Sequence, residues 1–96
     1  MDAEFAGKTA LVTGGAMGIG GAVAELLAAR GANVAIVDRA ATEAAALARR
    51  IGEQGGTAIA ITADVASPAD VGAAVTATLD AFGGIDVVSN NAGIQR

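Results

Sequence analysis

The sequence has no cysteine, histidine, tryptophan or tyrosine, and it contains only two phenylalanines and one proline. Without Cys or His, these residues cannot form disulfides, act through a thiol nucleophile, build a zinc finger or use imidazole catalysis. Only a metal site made wholly of oxygen ligands is left open, and no metal-ligand set is assigned. Basic residues are also scarce: six Lys and Arg stand against ten Asp and Glu, for a net charge of −4 at pH 7. The longest basic run is the pair Arg49-Arg50, which argues against a nucleic-acid-binding surface. No apolar run reaches the roughly 18 residues needed for a membrane span. The start, Met1-Asp2-Ala3-Glu4-Phe5, lacks the basic and then apolar segments of a secretion signal. These absences lead us to expect a soluble, cytoplasmic chain with neither nucleic acid nor membrane as a partner.

Aliphatic residues and glycine are abundant instead. Hydrophobic residues make up 53% of the chain, so the core must be built from Ala, Val, Ile and Leu. Fourteen glycines without a collagen period point to tight turns and close backbone approaches. A length of 96 residues fits a single domain spanning 1–96.

The apolar, β-branched run Thr9–Thr13 reads as a strand buried on both faces. A helix is expected from about Gly18 to Arg30, with Ile19, Val23, Leu26 and Leu27 on its buried face and Gly31 as its stop. Asn33–Val37 is a second strand, closed by Asp38-Arg39. A second helix follows from Thr42 to about Gln54, capped by Thr42, with Glu43 in its first turn and Leu47 and Ile51 buried. Gly55-Gly56 ends it, and Thr57–Thr62 is the third strand. Ser67-Pro68-Ala69-Asp70 is a strong helix start, with a Ser cap, Pro at the first helical position and an acid three residues after the cap. Val71, Val75, Leu79 and Phe82 form the apolar stripe of this third helix, which Gly83-Gly84 ends. Ile85–Ser89 is the fourth strand, and Asn90-Asn91-Ala92-Gly93 is a turn or loop. The alternation β-α-β-α-β-α-β predicts an α/β fold, a doubly wound parallel sheet with helices on both faces.

The segment from Thr13 to Gly20 joins the first strand to the first helix. A pyrophosphate needs close backbone approach, N–H donors and a helix N-terminus, and glycines in this turn allow all three. Gly14, Gly18 and Gly20 are the essential set, with Ala16, Met17 and Ile19 lining the same turn. Such a string also serves simply as a tight turn and helix cap. Asp38 follows at about the 20-residue separation where dinucleotide-binding folds place a carboxylate on the adenosine ribose.

With these motifs the chain resembles the short-chain dehydrogenase/reductase family from Phe5 to Gly93. Thr-Gly-x-x-x-Gly-Ile-Gly is that family's form of the turn, Asp64-Val65 matches its adenine-contacting pair, and Asn90-Asn91-Ala92-Gly93 matches its signature after the fourth strand. The resemblance implies a Rossmann-type strand order of 3-2-1-4 and a nicotinamide cofactor laid across the strand ends. It places Asn91, Ala92 and Gly93 near the adenine-side ribose. The negative charge of Asp38 would repel the extra phosphate of NADP, favouring NAD. Arg39 works the other way, since an Arg here binds that phosphate or stacks on adenine in such proteins. Ser89 departs from the apolar residue usual before Asn-Asn.

Family members catalyse with a Tyr, a Lys four residues later and a Ser. This chain has no Tyr, and its single lysine, Lys8, precedes the first strand, so no catalytic residue is assigned. The resemblance implies the cofactor-binding front half of an oxidoreductase that interconverts alcohols and ketones, inactive by itself. It also implies a sheet truncated after the fourth strand, whose exposed edge favours self-association. The alternatives are a stand-alone, non-catalytic nucleotide-binding or oligomeric module and a methyltransferase of related fold. The glycine spacing fits the methyltransferase less well.

Overall fold

The computed structural model describes residues 4–91. Its elements run β1 (Thr9–Thr13), α1 (Gly18–Ala29), β2 (Asn33–Asp38), α2 (Ala41–Glu53), β3 (Thr57–Thr62), α3 (Pro68–Phe82) and β4 (Val87–Asn90). The strands are parallel and lie in the order β3-β2-β1-β4, so the expected Rossmann-like sheet is present. β1 is central, with Leu11 opposite Ala35 on one side and Val88 on the other. Thr9, Ala10, Leu11 and Val12 of β1 are all buried, as a strand covered on both faces requires.

Side chains alternate along each strand, so the two faces build separate cores. On one face Ala10, Val12, Val34 and Ile36 pack against Ala24 and Ala28 of α1 and Ala44, Leu47 and Ile51 of α2. Each of the large side chains buried here contributes about 1.5–3 kcal/mol relative to exposure. The opposite face is thinner: Leu11, Val37, Ala63 and Ala74 cluster with Ile61, Val75 and Ile85. No helix among the described residues is long and apolar enough to cross a membrane.

The helices occur where expected, but two of them turn a different face to the core. α1 buries Gly20, Gly21, Ala24 and Ala28 and leaves Ile19 and Leu26 more than half exposed. Val23 is half-buried, and Leu27 packs at the edge of the core. The physical reason is proximity: a stripe of Gly and Ala lets the helix backbone approach the sheet more closely than a Leu stripe would. In α3 the buried residues are Ala74 and Thr78, while Val71 and Leu79 are 40% and 44% exposed. Val75 and Phe82 are half-buried.

Helix starts also divide. At α3 Ser67 caps as expected, its Oγ accepting from the Asp70 N–H at 3.3 Å behind Pro68. At α2 the cap position falls on Ala40, which has no side-chain acceptor, and Thr42 lies exposed one residue inside the helix. The capping role passes to Asp38, whose Oδ1 accepts the Ala40 N–H at 2.9 Å. β4 starts at Val87, two residues later than expected, and includes Asn90. Just before it, the Asp86 carboxylate accepts the Thr9 N–H at 2.8 Å.

Candidate functional site

At the C-terminal ends of β1, β2 and β3, a cleft of about 380 Å³ is lined by Gly14, Met17, Asp38, Arg39, Ala63, Asp64, Val65 and Ala66. Three stretches that are distant in sequence therefore meet in one place: the glycine-rich turn, the end of β2 and the turn after β3. Asp38 joins the first two. Its Oδ2 accepts the Ala16 N–H at 3.1 Å while its Oδ1 accepts the Ala40 N–H.

The glycine-rich turn folds tightly over β2, with the Gly14 N–H donating to the Val37 carbonyl at 2.8 Å. Gly14 and Gly18 have φ of 62° and 60°, left-handed values that side chains resist. Gly18 begins α1, and no acidic side chain occupies that helix's first turn. The first-turn N–H groups, Ile19 and Gly20 included, therefore lack intrahelical acceptors and carry the positive end of the helix dipole. Gly20 is buried, and Ile19 is exposed beside the turn.

Gly15, which lies outside the essential set read from the sequence, is tightly confined in this turn. A Cβ built on it would meet the Val12 carbonyl oxygen at 2.8 Å and the side chains of Val12 and Ile36 at 3.2 and 3.3 Å. Only a Gly-Gly pair after an apolar strand hinted at this.

Arg39 reaches over the cleft towards Asp64, with Nη1 and Oδ2 at 3.9 Å and the Arg39 side chain 75% exposed. A pair this long and exposed adds little stability, so the guanidinium is available to a ligand at small cost. Asn91 lies at the neighbouring strand end. It is buried, its N–H donates to the Thr13 carbonyl at 3.1 Å, and its Nδ2 donates to Ser89 Oγ at 2.9 Å. The Ser89 hydroxyl thus holds the Asn91 amide. Asn90 accepts from Thr13 Oγ1 at 2.7 Å. Ala92 and Gly93 lie outside the described residues.

A parallel Rossmann-like sheet with its glycine-rich turn and cleft at the strand ends defines the class, and comparison with known proteins identifies the family. The family model "short chain dehydrogenase" matches residues 8–96, and the chain belongs to that family of oxidoreductases. It is 45% identical to D-threitol dehydrogenase of Mycolicibacterium smegmatis over 99% of this chain and 36% of that protein. It is likewise 45% identical to a 3-oxoacyl-[acyl-carrier-protein] reductase of Vibrio cholerae, over 94% of this chain and 36% of that protein. Among solved structures, a dehydrogenase/reductase from Sinorhizobium meliloti superposes with a TM-score of 0.85 at 45% identity, over 88% of this chain and 34% of that one. A hydroxysteroid dehydrogenase from Escherichia coli gives 0.88 at 31% identity, over 90% of this chain and 37% of that one. The chain thus spans about a third of the length of the curated relatives it matches.

Proposed function

We propose that this chain is the nicotinamide-dinucleotide-binding portion of an alcohol/ketone oxidoreductase, that it prefers NAD to NADP, and that the catalytic residues lie outside its 96 residues. The observation that carries the reading is the convergence of the glycine-rich turn, Asp38 and Asp64-Val65 on one cleft. A bound nicotinamide cofactor supplies or accepts the hydride.

The chain's own residues fit such a group. An ionised carboxylate has about four acceptor positions. The Ala16 and Ala40 N–H groups take two at Asp38, leaving two for a pair of ribose hydroxyls. Met17, Ala63 and Val65 supply apolar walls for a base, and Asp64 supplies an acceptor at its edge. The start of α1 offers backbone donors to a pyrophosphate. Asn91 and the neighbouring Ala92 and Gly93 would serve the adenine-side ribose. The substrate half of the reaction needs a proton donor and acceptor. Tyr, His and Cys are absent from this sequence, so we assign that chemistry elsewhere.

Titrating the purified chain with NAD and NADP by calorimetry tests the reading. Saturable one-to-one binding of NAD is expected, with NADP weaker by about fivefold because its extra phosphate meets the Asp38 charge. A folded chain that binds neither dinucleotide would refute it.

Self-association through β4 belongs to the same proposal. β4 is an edge strand with Val88 65% exposed, on the same face as its register partner Leu11, and an apolar edge of this kind pairs readily with another strand. Sedimentation at micromolar concentration should show a species larger than a monomer, and Val88→Lys should shift it towards monomer. A wild-type chain that sediments as a monomer would contradict this.

A further inference from the structure

We propose that Asp70 is a positioning residue for the adenine end of the cleft, acting through the backbone of Asp64; this rests on the nucleotide-binding reading above. Asp70 is not among the residues lining the cleft. It sits in the first turn of α3, where its spacing from Ser67 suggests only a helix-start acid. In a capping box such an acid turns back to the N–H of the cap residue itself. Here the Ser67 N–H is already used, donating to the Asp64 carbonyl at 2.9 Å. The Asp70 carboxylate reaches further back, and its Oδ2 accepts the Asp64 N–H at 2.8 Å.

The position of that bond gives it a consequence for ligand binding. The β3 ladder ends with Asp38 opposite Thr62, and the next N–H, that of Ala63, donates to the Asp38 carbonyl at 3.2 Å. Asp64 then leaves the sheet. Its Oδ1 accepts the Ala66 N–H at 2.9 Å, a contact internal to the turn. Asp70 ties the Asp64 N–H to the rigid first turn of α3, and so sets where Asp64 and Val65 stand in the cleft wall. Without the carboxylate the Asp64 N–H loses its acceptor and the turn gains freedom, while the Asp64 side chain itself is unchanged. A ligand must then order the turn on binding, and affinity falls.

The test compares Asp70→Ala, Asp70→Asn and Ser67→Ala in the purified chain, titrated with NAD and with adenosine monophosphate. Ser67→Ala removes the cap of the same helix and should lower the melting temperature by about 5 °C while leaving both affinities within about twofold. Asp70→Ala should weaken both ligands by about fivefold, as loss of one hydrogen bond predicts, and should speed amide exchange at Asp64 in the unliganded chain. Asp70→Asn, whose amide oxygen can still accept, should recover most of the affinity. Equal affinity losses in Asp70→Ala and Ser67→Ala would reduce Asp70 to a helix-stabilising acid, and an unchanged affinity in Asp70→Ala would also overturn the proposal. Absence of binding by the wild-type chain would instead be a failure of the nucleotide reading itself, recognisable before any variant is compared.

Discussion

Asp38→Ala is expected to weaken NAD binding by about tenfold to a hundredfold and to lower the melting temperature together with it. The two effects share an origin. The carboxylate holds the Ala16 N–H in the glycine-rich turn and the Ala40 N–H at the start of α2, and both donors lose their acceptor in the variant. A hydrogen bond to a charged group contributes about 1.5–3 kcal/mol, and an unpaired buried donor costs about 1–3 kcal/mol. A net loss of about 2 kcal/mol corresponds to roughly 8–16 °C in a domain of this size. On the proposed reading the ribose acceptors disappear with the same atoms, which is why affinity is expected to fall. Asp38→Asn separates the contributions, because its single oxygen can serve one of the two backbone donors and its charge is gone. It should recover about half of the stability and bind NADP nearly as well as NAD. Calorimetric titration alongside thermal melting checks both. An Asp38→Ala variant that melts lower but binds NAD unchanged would remove Asp38 from the ligand site and leave it a purely structural clamp.

Gly15→Ala carries the largest expected loss of stability, about 2–3 kcal/mol or roughly 10–20 °C in melting temperature. The added methyl would stand 2.8 Å from the Val12 carbonyl oxygen, inside van der Waals contact with a backbone atom that cannot rotate away. Val12 and Ile36, which close the other sides, are both fully buried, so the strain must move either the turn or the two central strands. Moving the turn strains the Val37 carbonyl contacts of Gly14 and Gly15 and shifts the start of α1 relative to Asp38. Nucleotide affinity should therefore fall even in the fraction of molecules that remain folded. Gly72→Ala is the matched control. Nothing lies within 4 Å of its new methyl, and an alanine inside α3 should stabilise it by about 0.5–1 kcal/mol. Comparable melting temperatures for the two variants would show that the turn can give way without disturbing the core.

These two residues illustrate how much of the site could be read from the chain. The meeting of the glycine string and Asp38 at one end of the sheet was legible in their spacing, because a parallel β-α-β unit sets the turn after β1 beside the end of β2. The confinement of Gly15 was not recognisable, since its neighbours Val12 and Ile36 come from two strands and meet only in the sheet. Asp70 was legible as a helix-start acid, but its bond to Asp64 was not, because nothing in Ser-Pro-Ala-Asp records that the Ser67 N–H is already engaged. Ser89 stood out as a departure from the residue usual in the resembling family, and only the folded chain reveals the Asn91 amide that its hydroxyl holds.

By itself, then, the sequence determined what depends on neighbours within a turn or two: the alternation of strands and helices, the Ser67 cap, the glycine stops and the turn motif. The strand order 3-2-1-4 came with the family resemblance that those motifs carry. Tertiary structure alone decided how the elements were rotated and joined. α1 turns Gly and Ala to the sheet in place of Ile19 and Leu26 because close packing rewards small residues, which a hydrophobic pattern scores weakly. α2 begins on an Asp38 carboxylate outside the helix instead of on Thr42. In each case the deciding partner lies far away along the chain, and its contact exists only once the sheet has formed.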